Sequence, residues 1–189
     1  MAIGDGRSGG FDSGRLASVR WDDFSAPATT ARRGVTSKPD FDYTELGLLF
    51  PQNDATEIIY IVAQMQHKKQ LGSDIHLHCH YIQAGADQPT FKAAYRYYNN
   101  GAAVPGSWTI VSTADAEGSK GVFDYPGSRS IMQIATFPPI EAPTGETVSA
   151  NIDIKFYRED NDVTGDVLVK YIDYHFQIDS DGSPQEFSK

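Results

Sequence analysis

From about residue 44 onward, apolar and polar positions alternate in short runs separated by turn-forming residues. The clearest run is "VSANIDIKFYRE", where Ile152, Ile154 and Phe156 face one way and Asp153, Lys155 and Tyr157 the other. A period of two marks a strand with one buried and one wet face. Eight runs of this kind occur: "TELGLLF", "EIIYIVAQM", "DIHLHCHYIQ", "TFKAAYRYYN", "SWTIVSTAD", "SIMQIATF", "VSANIDIKFYRE" and "DVLVKYIDYHFQI". Their β-branched and aromatic residues favour strands. The breaks between them, such as "PQND", "QLGS", "AGADQP", "NNGAAVPGS", "PPIEAPTGE" and "DNDVTG", are rich in turn formers. "ATEIIYIVAQMQHKK" can also be read as a helix, but Ile58, Ile59, Ile61 and Val62 are β-branched and crowd a helical turn. In the last run Leu168, Ile172, Tyr174, Phe176 and Ile178 share one parity, with Lys170 as an exception, and Asp173, His175 and Gln177 share the other.

This pattern predicts an all-β fold, an eight-stranded antiparallel jelly-roll sandwich over residues 41–180 with two sheets packed about 10 Å apart. An extended N-terminal arm, residues 1–40, precedes it, and a short polar tail, residues 181–189, follows. The arm is punctuated by Gly, Ser, Pro and Arg, and only "LASVRWDDF" offers apolar anchors. Such a segment does not offset its own ordering entropy, so it is expected to be disordered or laid across a neighbouring surface. Arg15, Arg20, Trp21, Phe24, Arg32 and Arg33 are the residues expected to meet a partner.

A chain of 189 residues suits one well-buried domain. Its 16 basic and 25 acidic residues leave a net charge of -9, and residues 1–40 hold six basic against five acidic groups, so the acidity belongs to the body. That balance argues against direct nucleic-acid binding, which needs clustered Lys and Arg. A single cysteine, Cys79, allows no intrachain disulfide. The opening "MAIGDGRSGG" has no apolar leader, and no apolar run approaches the roughly 18 residues of a membrane span. A soluble protein made in the cytosol, away from membranes, is expected.

The densest chemistry lies in "GSDIHLHCHY", Gly72 to Tyr81, which holds three of the five histidines. Period two puts Ile75, Leu77, Cys79 and Tyr81 on a core face and His76, His78 and His80 on the other. A metal held by His76, His78 and His80, with His175 from a distant strand, is one reading; a polar or inter-subunit face is the other. Gly72, five intervening residues and then His78-x-His80 resemble the first cupin motif, which implies a metal-binding β-barrel. Ala84 and Gly85 stand where that motif has its glutamate, and the second motif is missing. The loop "DNDVTGD" sets Asp160, Asp162 and Thr164 before Gly165 like the start of a calcium loop, but Tyr171 stands at its twelfth position and strands flank it, which favours a hairpin turn. In "FKAAYRYYNN", Tyr95 and Tyr97 share the Phe91 face while Lys92, Arg96 and Tyr98 share the other. Tyr95, Tyr97, Tyr98 and Trp108 are the candidates for stacking on sugars. No nucleophile elbow, P-loop, dinucleotide fingerprint or His-Glu-x-x-His motif occurs. A non-enzymatic role without a cofactor is the expectation, a possible metal ion at the His strand aside.

The succession "WDDFSAPAT" (Trp21 to Thr29), "LGLLFPQND" (Leu46 to Asp54), "EIIYIVAQMQHKKQLGSDIHLHCHY" (Glu57 to Tyr81) and "YIDYHFQID" resembles small structural proteins of tailed bacteriophages and prophages. Members of that group carry a Trp-Asp-Asp arm and a Gln-Met-x-His-x-x-Lys-x-Gly-Ser turn leading to a His-rich strand. Here that turn is Gln64, Met65, His67, Gly72 and Ser73, with Lys68 and Lys69 near the basic position. The resemblance implies a jelly-roll virion subunit, either a capsid decoration (cement) protein or a head-to-tail or tail accessory protein. It implies capsid, neck or tail proteins as partners, and by analogy of fold a homotrimer or other homo-oligomer.

Overall fold

The computed structural model describes residues 19–52, 54–83, 89–115, 132–159 and 165–179. Among them are eleven strands: β1 (Arg20–Pro27), β2 (Arg32–Arg33), β3 (Asp40–Asp42), β4 (Gly47–Phe50), β5 (Ile58–Gln64), β6 (Ile75–Gln83), β7 (Phe91–Tyr98), β8 (Thr109–Ser112), β9 (Gln133–Thr136), β10 (Asn151–Arg158) and β11 (Val167–Ile178). Strands β4 to β11 are the eight predicted from alternation, and the ambiguous Glu57 stretch is a strand. Helical structure among the described residues is limited to 3₁₀ turns at Ala28–Thr30 and Thr113–Asp115. Among the described residues no helix is long and apolar enough to cross a membrane.

The strands form two antiparallel sheets. One runs β3-β4-β11-β6-β9, and the other β2-β5-β10-β7-β8. Strand β11 is twelve residues long and serves two partners along one edge. Its start, Val167–Val169, pairs with β4, and Tyr171–Ile178 pairs with β1. Its other edge pairs with β6 from Val167 to Phe176.

The core is the set of inward positions from both sheets. Ile75, Leu77, Cys79 and Tyr81 of β6 meet Ile152, Ile154 and Phe156 of β10 and Ile59 and Ile61 of β5 in one apolar cluster. Phe156 stacks on Phe91 at 5.2 Å and meets Phe50 edge-on at 5.7 Å. The predicted faces of β6 and β10 are the observed ones, because each strand is long enough for its alternation to bury one face fully.

The N-terminal segment departs from the expectation of a separate arm. Arg20–Pro27 is a full strand of the first sheet, and β2 and β3 add short pairings at the margins of the two sheets. Its composition hid this because it buries little, chiefly Ala26 and Ala28. What holds it is the backbone edge of β11, which offers eight residues of pairing regardless of side chain. Arg15 lies outside the described residues, as does the whole predicted tail, residues 181–189.

A second departure sits inside β11. Val169 pairs with Tyr81, but the next β6 position, His80, pairs with Tyr171, so Lys170 is an extra residue, a β-bulge. Parity therefore reverses at Lys170. Val167 and Val169 face the core before it, and Ile172, Tyr174 and Phe176 after it. Leu168, expected on the Ile172 face, instead lies opposite Ile82 and Leu49 and lines a small cleft with Asp42, Glu45 and Asp166. Lys170, the exception to the parity, was the mark of the bulge.

Candidate functional site

Directly opposed residues of antiparallel strands share a face. The register therefore builds rows across β1, β11 and β6 on the outer face of the first sheet: Asp23, His175 and His76; Ser25, Asp173 and His78; Pro27, Tyr171 and His80. Without the extra residue at Lys170, Asp173 would fall into register with core positions of β6. The bulge thus sets Asp173 and His175 among the histidines.

The four histidines named from sequence do gather on one surface. The rings of His78 and His175 lie 4.5 Å apart and those of His78 and His80 5.1 Å apart. Trp21 meets His76 edge-on at 5.0 Å. The residue missed from sequence is Asp173, which is only 6% exposed and lies at the centre of the group. Its Oδ2 accepts from His80 Nε2 at 2.8 Å and faces His78 Nε2 at 3.3 Å. Burial opposes its charge, but hydrogen bonds from His78, His80 and the nearby Ser25 outweigh that and hold the carboxyl well below the usual carboxylate range. No donor among the described residues reaches Oδ1 with hydrogen-bond geometry. Burial and the neighbouring His78 hold His175 below the usual imidazole range, against the pull of Asp23 and Asp173.

One ligand atom each from His78, Asp173 and His175 lie within 4.8 Å of one another. His76 and His80, expected as metal ligands, fall outside that group. Cys79 points away into the core, where burial pushes its thiol up. The cupin comparison fails on geometry: the inner face that a barrel-lumen site needs is filled by Ile75, Leu77, Cys79 and Tyr81.

A second buried carboxylate explains the turn that carried the family resemblance. Lys69 and Glu146 have side chains only 1% exposed and pair at 2.8 Å. Lys69 Nζ also donates to the carbonyls of Ser73 at 2.6 Å and Gln70 at 3.2 Å. Glu146 Oε2 accepts from Gly72 N at 2.7 Å, and Oε1 accepts from the Tyr97 hydroxyl. His67 Nε2 meets Ser149 Oγ at 2.7 Å, next to a backbone held at φ 62°. Met65 is in the core. The turn is thus a pinned structural element leading into β6.

The aromatic candidates are placed otherwise than a sugar platform requires. Tyr97 is buried against Glu146, and Tyr95 packs on the core. Tyr98 donates to Asp153 Oδ1 at 3.3 Å. The ring of Trp108 lies under Arg96 at 4.2 Å and Lys155 at 4.0 Å. Among the arm residues, Trp21 and Phe24 stay 46% and 41% exposed while packing on His76 and Tyr174. Arg33 donates to the Pro39 carbonyl at 3.2 Å, and Arg20 and Arg32 lie at the surface. Asp160, Asp162 and Thr164 lie outside the described residues.

No protein-family model matches the chain, and no curated protein matches it in sequence. Solved structures with some likeness include the mosquito-larvicidal Cry4Aa toxin from Bacillus thuringiensis (19% identity, TM-score 0.48, 84% of this chain and 24% of that one). A CocE/NonD family hydrolase from Staphylococcus aureus shares 7% identity at TM-score 0.47, over 87% of this chain and 37% of the other. The enzymatically active domain of bacteriophage CBA120 tailspike protein 4 shares 9% at TM-score 0.37, over 84% of this chain and 19% of the other. The chain thus spans well under half of each of these three solved chains. What these comparisons accompany is a β-sandwich, whose two sheets are read directly from the strand pairing.

Proposed function

We propose that the chain is a non-enzymatic structural subunit of a tailed-phage virion, a capsid decoration or a head-to-tail or tail accessory protein, acting through protein contacts. The observation that carries this reading is the winding order. Numbered one to eight from β4 to β11, the strands are ordered 1-8-3-6 in one sheet and 2-7-4-5 in the other. We read that order as two interleaved Greek keys, a jelly roll, an architecture that capsid domains share with lectin domains and cupins. The motif succession from Trp21 to Tyr81 supports the same assignment, and the acidic body suits an outer particle surface that repels packaged DNA.

The contact surface in this reading is the side of the sandwich where β1 and β5 approach. There Phe24, Ala26, Thr30, Ala31, Tyr60, Ile61 and Val62 line a groove of about 150 Å³. Val62 is 73% exposed at its rim, and among the described residues those at 61–64 of β5 are paired only on their β10 side. A neighbouring capsid, neck or tail protein that lays an extended apolar segment here gains both burial and backbone pairing. Immunogold labelling of particles from a host carrying this gene tests the proposal. Labelled heads, necks or tails are expected, and purified particles lacking the chain overturn it. Val62→Glu is expected to lower occupancy on particles while leaving the fold intact.

A further inference from the structure

We propose that His78, Asp173 and His175 form a binding site for one divalent transition-metal cation of the Zn²⁺ type, on the outer face of the first sheet. Two imidazoles and a carboxylate are a donor set that such borderline cations accept. The three come from two paired strands, so backbone hydrogen bonds hold them in place before any ion arrives.

Two distances separate this cluster from an ordinary His and Asp network. His80 Nε2 to Asp173 Oδ2, at 2.8 Å, is a good charge-assisted hydrogen bond. His78 Nε2 to the same oxygen, at 3.3 Å, is long for one. The second observation is Asp173 Oδ1, an oxygen of a residue 94% buried that has no hydrogen-bond partner among the described residues. A buried carboxylate oxygen without a partner is costly unless something with positive charge takes it up. A cation there satisfies it without moving the sheet.

The roles then divide. His78 and His175 supply nitrogens, Asp173 supplies an oxygen, and His80 acts as a positioning residue that fixes the Asp173 carboxylate by hydrogen bonding. His78, with its side chain 14% exposed, leaves the fourth position open to water. The site is independent of the virion reading. A cation that ties β6 to β11 serves any function of this sheet.

The test is isothermal titration of the untagged full chain with Zn²⁺, together with the visible absorption of the Co²⁺ form, whose intensity reports four-coordinate geometry. One equivalent of Zn²⁺ binding at micromolar or tighter affinity is expected, with a rise in Tm. His78→Ala and His175→Ala should each weaken binding by about 100-fold, and His80→Gln by about 10-fold with the stoichiometry kept. His67→Ala, at the Ser149 contact, should bind like the parent protein. Circular dichroism of each metal-free variant separates lost binding from lost fold. No binding by the parent chain, or binding unchanged in both His78→Ala and His175→Ala, overturns the proposal.

Discussion

Asp173 and Glu146 are both buried carboxylates held by basic side chains, yet one site is closed and the other open. Glu146 has a donor for each oxygen: Lys69 and the Gly72 amide on Oε2, and the Tyr97 hydroxyl on Oε1. Asp173 has two imidazoles on Oδ2 and Ser25 close by, but no partner with hydrogen-bond geometry on Oδ1 among the described residues. The closed site joins a turn to a loop 77 residues away and has no spare valence. The open one sits under partly exposed histidines. A fully satisfied polar network rigidifies a fold, whereas an incompletely satisfied one is where a ligand gains most.

The strongest way to break this comparison is at the closed site. Lys69→Met leaves Glu146 buried without its cation and should cost about 3–5 kcal/mol, read from the midpoint of urea unfolding. A loss below about 1 kcal/mol would show that the pair is better solvated than its burial implies. Asp173→Asn should cost less, about 1–3 kcal/mol, because the histidines it releases can turn to water.

The sign of the pH dependence sharpens the second case. The folded pKa of Asp173 is depressed, so its contribution is fully present above the unfolded value near 3.8 and is lost as pH falls below it. The gap between parent and Asp173→Asn should therefore be full at pH 6 to 7 and shrink towards pH 3 in thermal melts.

The smallest effect concerns a carboxylate with only acidic neighbours. Burial raises Glu57 to about 7, with Asp54, Asp40 and Asp166 adding to the shift. Between pH 4.5 and 7 the unfolded chain releases a proton that the folded protein keeps, so stability falls across that window as pH rises. Glu57→Gln should raise Tm by no more than about 2 °C at pH 8 and leave it unchanged at pH 4.

Legibility in the sequence followed how local each signal was. Eight strands announced themselves through their own alternation, and β6 showed its two faces outright because nine residues in a row obey period two. Strands β1 to β3 were invisible, since their pairing rests on the edges of β11, β5 and β4 more than on apolar content of their own. The histidines were visible as a set, and Asp173 and His175 were visible as sharing a parity. That these two parities meet was not, because a contact between residues 78 and 173 depends on which strands pair. Nothing local told Lys69 from its neighbour Lys68 in the turn; Glu146, far along the chain, gives it a buried partner.

Side-chain period and turn chemistry act over a few residues, so the chain by itself determined an all-β fold, the positions of strands β4 to β11 and the core face of β6. Tertiary structure alone decided the sheet order, the place of β1 on the edge of β11, and the bulge at Lys170. Backbone pairing energy is nearly blind to side-chain identity, so partner and register are selected by the whole core at once. One extra residue in β11 turned Asp173 away from the core and towards His78, and that single change of register created the candidate site.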